Sequence, residues 1–178
     1  MKFTETDIPG AFIVNHEPIY DDRGFFARSF CLNEFQNHGI EFKPVQANTG
    51  YSKKKGTLRG MHYQAGKHAE SKFIRCIRGA IYDVIIDLRE ESETFMKWFG
   101  VELSAENRTM LFLPEGCAHG YQTLADHTEV YYMVSTFYEP GAEKGIRWND
   151  PAFNIEWQKT KELIISDKDR TWPGFEQV

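Results

Sequence analysis

The chain has 178 residues, with 26 acidic against 21 basic side chains and a formal charge of −5. That length predicts one domain over residues 1–178, with a core that needs no disulfide staples. The mild acidic balance argues against a nucleic-acid or membrane surface. Cys31, Cys76 and Cys117 are odd in number, far apart and outside any CxxC pair. They point to reduced thiols of a cytoplasmic protein and not to a disulfide frame or zinc site. The first fourteen residues lack the basic start and apolar run of a signal peptide, and no stretch is long and apolar enough to span a bilayer.

Residues 10–14 read as a short strand after a Pro-Gly turn. Residues 21–24 (Asp-Asp-Arg-Gly) form a turn, and 25–30 read as the strand that follows. Residues 32–38 suit one or two helical turns ended by Gly39, and 42–48 return to extended chain. Residues 72–78 alternate polar and apolar side chains until Gly79. Residues 80–88 hold Ile81, Val84, Ile85 and Ile86 and read as a mostly buried strand. After a connection at 94–98, strands at 100–104 and 109–113 flank a polar turn at Glu106-Asn107. A Pro-Glu-Gly turn at 114–116 leads to strands at 120–124 and 128–138. Short strands with a turn signal every ten residues or so predict an all-β sandwich or barrel. From Pro140 the tail is loop-rich, with Trp148, Trp157 and Trp172 spaced through it and at most short helices.

The stretch Gly56-Thr57-Leu58-Arg59-Gly60-Met61-His62-Tyr63-Gln64 places a guanidinium three residues from an imidazole. Arg suits bidentate phosphate recognition, and His is the commonest general base near neutral pH. Residues an odd number apart on a strand point to opposite faces, so the two share a pocket only if Gly60 bends the chain. The plainer reading is a surface Arg and a hydrogen-bonded His at a glycine-rich strand entry. Pro114-Glu115-Gly116-Cys117-Ala118-His119 has the PxGxxH form of a cupin turn, and cupins are jelly rolls with a pocket inside the barrel. Metal-binding cupins pair two histidines as HxH, whereas this chain reads His62-Tyr63-Gln64. Only two histidines can then converge, short of the three ligands a metal site needs. No metal is expected.

Seven segments, in order, resemble the dTDP-4-dehydrorhamnose 3,5-epimerase family. They are residues 21–26, 46–48, 58–64, 72–76, 114–120, 145–151 and 166–169, and the likeness runs from about residue 10 to 175. The resemblance implies an all-β cupin jelly roll that acts without a cofactor on a nucleotide-linked 4-keto-6-deoxy sugar, inverting C3, C5 or both. It implies His62 as base, Asp169 as the carboxylate that orients it, Lys72 beside the enolate oxygen and Tyr132 as the acid on the far side. It implies that Arg23, Arg59 and Lys168 hold the nucleotide and its diphosphate. Gln46, Asn48, His119 and Glu143 would make polar contacts, and Tyr138 would stack on the base. It further implies a homodimer with an exchanged N-terminal strand, so that Arg23 acts across the interface.

The same residues have plainer readings. Asp169 follows Ser166 at capping-box spacing, Lys72 suits a solvated strand edge, and Tyr132 suits the core of an alternating strand. His119 suits a turn histidine bonded to backbone. Asp83 lies inside an apolar strand, where a carboxylate is costly unless paired, and is a candidate supporting residue. Three departures from the family fall in the nucleotide-binding half: Arg28 in place of a common Glu, Gln46-Ala47-Asn48-Thr49-Gly50, and a longer basic loop before Gly56. They leave open a CDP-linked substrate or a single inverted centre. A metal-dependent cupin and a silent sugar-binding cupin are the remaining alternatives.

Overall fold

The computed structural model describes residues 1–175; the last three residues of the expected 1–178 domain lie outside the described residues. Two antiparallel sheets face each other. The first contains β1 (Lys2–Glu5), β2 (Phe12–Asn15), β5 (Gln46–Ser52), β7 (Lys72–Arg78), β10 (Met110–Leu113) and β12 (Thr128–Val134), in the spatial order β1-β2-β10-β7-β12-β5. The second runs β13-β6-β11-β8-β9, from β6 (Thr57–Gln64), β8 (Ala80–Asp87), β9 (Trp98–Ser104), β11 (Cys117–Thr123) and β13 (Glu143–Gly145). β14 (Ile164–Ile165) joins β6 in parallel. A separate hairpin, β3 (Ile19–Asp21) and β4 (Gly24–Phe26), belongs to neither sheet. The helices are α1 (Leu32–Asn37) and α2 (Asp167–Arg170). This is the expected all-β jelly roll. Among the described residues no helix is long and apolar enough to cross a membrane.

Period-two alternation builds three apolar layers. Between the sheets, Ile74, Cys76, Leu111 and Val130 meet Ile81, Ile85, Leu103 and Tyr121. Outside the first sheet, α1 lays Phe35 on Val14, Phe73, Met110 and Phe112. Outside the second, the tail covers Met61, Val84, Ile86 and Ala118 with Ile146 and Phe153.

Several boundaries differ from the sequence expectation, each for a long-range reason. The 25–30 strand stops at Phe26 because only the hairpin partner Ile19–Asp21 pairs it. The extended run at 42–48 does not pair until Gln46, then continues to Ser52 along β12, while Phe42 turns into the core under α1. β11 starts at Cys117, three residues early, because Cys117 and Ala118 pair with Asp87 and Ile86. β12 ends at Val134, four residues early, which leaves Tyr138 in a loop. The tail contributes two short strands as well as α2.

The Gly60 bend is present. Tyr121 pairs with Arg59 and His119 with His62, so a two-residue step on β11 faces a three-residue step on β6. This bulge turns Arg59 and His62 to the same face. Glycine is required on both strands. Gly60 has φ 137°, and a Cβ there would sit 2.5 Å from the Gly120 Cα. A Cβ on Gly120 would sit 2.6 Å from the Met61 Sδ and 2.8 Å from the Arg59 carbonyl oxygen.

Candidate active site

The bulge delivers His62 into a cavity of about 310 Å³, within the usual range for a small-molecule site. His62, Gln64 and Glu143 come from the second sheet, and Gln46, Asn48, Lys72 and Tyr132 from the first. Glu70 and Tyr138 come from loops.

His62 Nε2 lies 2.6 Å from Asp169 Oδ1. Burial alone would raise the Asp169 carboxyl. The His62 hydrogen bond and charge, with a backbone bond from Gly60 and the Ser166 hydroxyl, outweigh it and hold the group below its ordinary value. An ionised carboxylate only accepts, so Nε2 carries the hydrogen and donates. In the neutral imidazole Nδ1 is then the free lone pair. The capping reading of Asp169 is also right: its backbone N–H donates to Ser166 Oγ at 3.0 Å. The cap fixes α2, and α2 aims the carboxylate at His62.

Tyr132 faces His62 from the opposite sheet. Burial first, and then the Glu70 charge, raise its phenol above the ordinary value, against the pull of Arg59. It therefore keeps its proton through the neutral range. Lys72 is no solvated edge lysine. It is 7% exposed, and its ammonium pairs with Glu70 Oε1 at 3.2 Å.

The expected binding residues divide. Gln46, Asn48, Glu143 and Tyr138 line the cavity. Lys168 Nζ donates to Glu143 Oε1 at 2.7 Å, and the Tyr138 hydroxyl donates to Glu143 Oε2 at 2.7 Å. Burial would raise Glu143, but these two bonds and the nearby His62 hold it below its ordinary value. Tyr138 is exposed at the cavity mouth with its ring free to take a flat partner. Arg59 shares the His62 face but donates to Ser52 Oγ and the Tyr51 carbonyl oxygen, beside the cavity and outside its lining. Arg23 sits on the β3–β4 hairpin, bonded to Asp21, and does not line this chain's cavity. Arg28 is exposed against Cys31 and Glu34 and does not line the cavity either.

His119 is a strand residue and not a turn residue. Its Nε2 lies 2.9 Å from Asp83 Oδ1, and both side chains are buried. Asp83 Oδ1 therefore has a partner, while Oδ2 is buried without one. His62 and His119 each commit Nε2 to a carboxylate, and among the described residues no group of three His, Cys, Asp or Glu side chains could hold a metal ion. Sequence reasoning missed Glu70 and Gln64. Gln64 is buried, and its side chain joins the Phe137 and His68 carbonyls, the Glu139 N–H and Glu70 Oε2. Nothing in the polar run 65–71 marks Glu70 as pocket-facing.

A jelly-roll barrel with a carboxylate-oriented imidazole on one sheet and a protonated tyrosine on the other, beside a buried lysine, defines the class: a cupin-fold isomerase. Residues 5–177 match the dTDP-4-dehydrorhamnose 3,5-epimerase family, and the chain belongs to that family. It is 43% identical over 173 residues to a dTDP-4-dehydrorhamnose 3,5-epimerase of Methanothermobacter thermautotrophicus, covering 96% of this chain and 92% of the relative. Among solved structures it resembles the Bacillus anthracis dTDP-4-dehydrorhamnose 3,5-epimerase with TDP and PPi bound. That match has 42% identity and a TM-score of 0.94, and covers 98% of this chain and 99% of that one. A Legionella pneumophila dTDP-6-deoxy-D-glucose-3,5-epimerase in complex with dTDP-4-keto-L-rhamnose matches with 33% identity and a TM-score of 0.91, over 97% of this chain and 92% of that one.

Proposed function

We propose that this chain is a dTDP-4-dehydrorhamnose 3,5-epimerase that inverts C3 and C5 of a dTDP-linked 4-keto-6-deoxyhexose by enolisation. The placement of His62 and Tyr132 on opposite sheets across one cavity carries this reading. The hydrogens on C3 and C5 are both α to the C4 ketone. His62 Nδ1 takes one of them, and the electron pair moves onto the carbonyl oxygen as an enolate. Lys72 supplies positive charge to that oxygen. Tyr132 returns a proton to the carbon from the opposite face, which inverts the centre. His62 then loses its proton to solvent and the Tyr132 phenolate regains one. The ketone's oxidation state is unchanged at the end, so the step needs no redox cofactor. Asp169 steadies the imidazolium that forms in between, as a triad carboxylate does.

The nucleotide lies along Tyr138, Lys168, Glu143, Gln46 and Asn48, with the Tyr138 ring on the base. Arg59 faces the diphosphate. The TDP and dTDP-sugar carried by the relatives support dTDP as the carrier. The enzyme acts as a homodimer in the cytoplasm. Ile19, Tyr20 and Phe26 of the β3–β4 hairpin are 67–71% exposed, an apolar surface that calls for a partner. The exchange of an N-terminal strand that the resemblance implies would bring this surface against the second copy. Arg23 reaches the second copy's cavity from it. Free cysteines support a reducing compartment.

The test is turnover of dTDP-4-keto-6-deoxyglucose followed by NMR. A product inverted at both C3 and C5 supports the reading. Binding without any inversion leaves a sugar-binding cupin in its place.

A further inference from the structure

Among the described residues Glu70 is the one carboxylate that pairs with Lys72, the lysine of the cavity. It lies just before β7, and its side chain is only 12% exposed. Oε1 sits 3.2 Å from Lys72 Nζ, and Oε2 accepts from Gln64 Nε2 at 3.2 Å. Gln64 cannot move to follow. Its two amide hydrogens are shared among Glu70 Oε2 and the carbonyl oxygens of His68 and Phe137, and its amide oxygen accepts from Glu139 N–H. A rigid amide thus holds the carboxylate, and the carboxylate holds the ammonium. Among the described residues Lys72 has no other ion-pair partner.

We propose that Glu70 is a positioning residue for Lys72, fixing the ammonium over the sugar cavity where the enolate oxygen forms. This rests on the role given to Lys72 above. A lysine side chain has four rotatable bonds, and pinning its end removes conformations in which the charge misses the oxygen. Glu70 also reaches Tyr132, the acid on β12, which pairs with β7 in the same sheet as Lys72. The titratable groups facing Tyr132 are Glu70 beside β7, Arg59 on β6, Glu143 on β13 and Tyr121 on β11. His62, Lys72 and Tyr138 share the cavity with it. Glu70 adds the largest charge contribution that keeps the Tyr132 proton in place.

The experiment compares Glu70→Gln, Lys72→Met and the double variant, in kcat, KM and pH profile. Gln keeps the size of Glu and an acceptor for Gln64, so the fold is preserved, and a thermal melt checks it. Losing a charge-assisted contact at the reacting centre should lower kcat of Glu70→Gln by about ten- to a hundredfold with little change in KM. Its alkaline limb should move to lower pH, because Tyr132 loses a negative neighbour. A merely structural role would not move that limb. The double variant should be no slower than Lys72→Met alone, since both losses run through one ammonium. A Glu70→Gln enzyme at or above the parental rate, while Lys72→Met is crippled, overturns the proposal. Additive losses in the double variant overturn it as well. A Lys72→Met enzyme at the parental rate removes the Lys72 role and the proposal with it.

Discussion

Asp169→Asn keeps the size of the side chain but removes the charge of the proposed dyad and turns one acceptor oxygen into an NH2 donor. The backbone N–H that caps α2 on Ser166 is kept, so the helix that carries the side chain stays in place. What is lost is a 2.6 Å charge-assisted hydrogen bond to His62. Such a bond contributes about 1.5–3 kcal/mol, or roughly ten- to a hundredfold in rate. When the base takes a proton, the carboxylate also attracts the new imidazolium. At 2.6 Å and an effective dielectric constant of about 20 that attraction is about 6 kcal/mol. His62 is 30% exposed, so water screens much of it. The expected fall in kcat is therefore about 10²- to 10³-fold, inside the range of general-base effects, with KM nearly unchanged. The assay is steady-state turnover of the 4-keto sugar, with thermal melts as a control. Asp169 is held below its ordinary value. Its stabilising contribution is thus complete above the ordinary carboxylate range and lost as pH falls through the lowered value. The variant should lack that acid-side slope. Parental turnover in Asp169→Asn would refute the dyad.

Gly120→Ala should destabilise the fold by roughly 1–3 kcal/mol, the scale of overpacking. It should also abolish turnover, since its Cβ would press on Met61 and the Arg59 carbonyl at the bulge that aims His62; denaturant melts and turnover report both. Arg28→Glu should leave the calorimetric preference between dTDP and CDP unchanged, because Arg28 lies against Cys31 and Glu34 and outside the cavity lining.

The buried strands were legible because alternation records burial: β7 and β10 carry apolar residues where they face a core, and β8 does so on both faces except at the buried Asp83 and Asp87. β5 was placed too early because Gln46-Ala47-Asn48-Thr49-Gly50-Tyr51-Ser52 is polar on the side that walls the cavity, so no apolar period marks it. β13 and β14 exist only through pairing with β6, a distant partner that local sequence does not name. At the site, His62 and Asp169 stand in recognisable motifs, whereas Tyr132 lies in none of the seven matching segments, and composition alone favours a core tyrosine and a capping aspartate. The cap reading held beside the site reading, as backbone and side chain of one residue serve different partners. Lys72 and Glu70 show the remaining gap. Whether a lysine is solvated or buried depends on which loop folds over it, and residues 65–71 give no periodic signal of that.

Deuterium exchange tests the central claim most directly: one base and one acid on opposite walls. Wild type, His62→Ala and Tyr132→Phe are each incubated with the 4-keto sugar in deuterated water, and label and configuration at C3 and C5 are read by mass spectrometry and NMR. The account predicts deuterium at both inverted centres for wild type and none for His62→Ala. For Tyr132→Phe it predicts label that enters without net inversion. Exchange near the wild-type rate in His62→Ala, or full inversion in Tyr132→Phe, would contradict it.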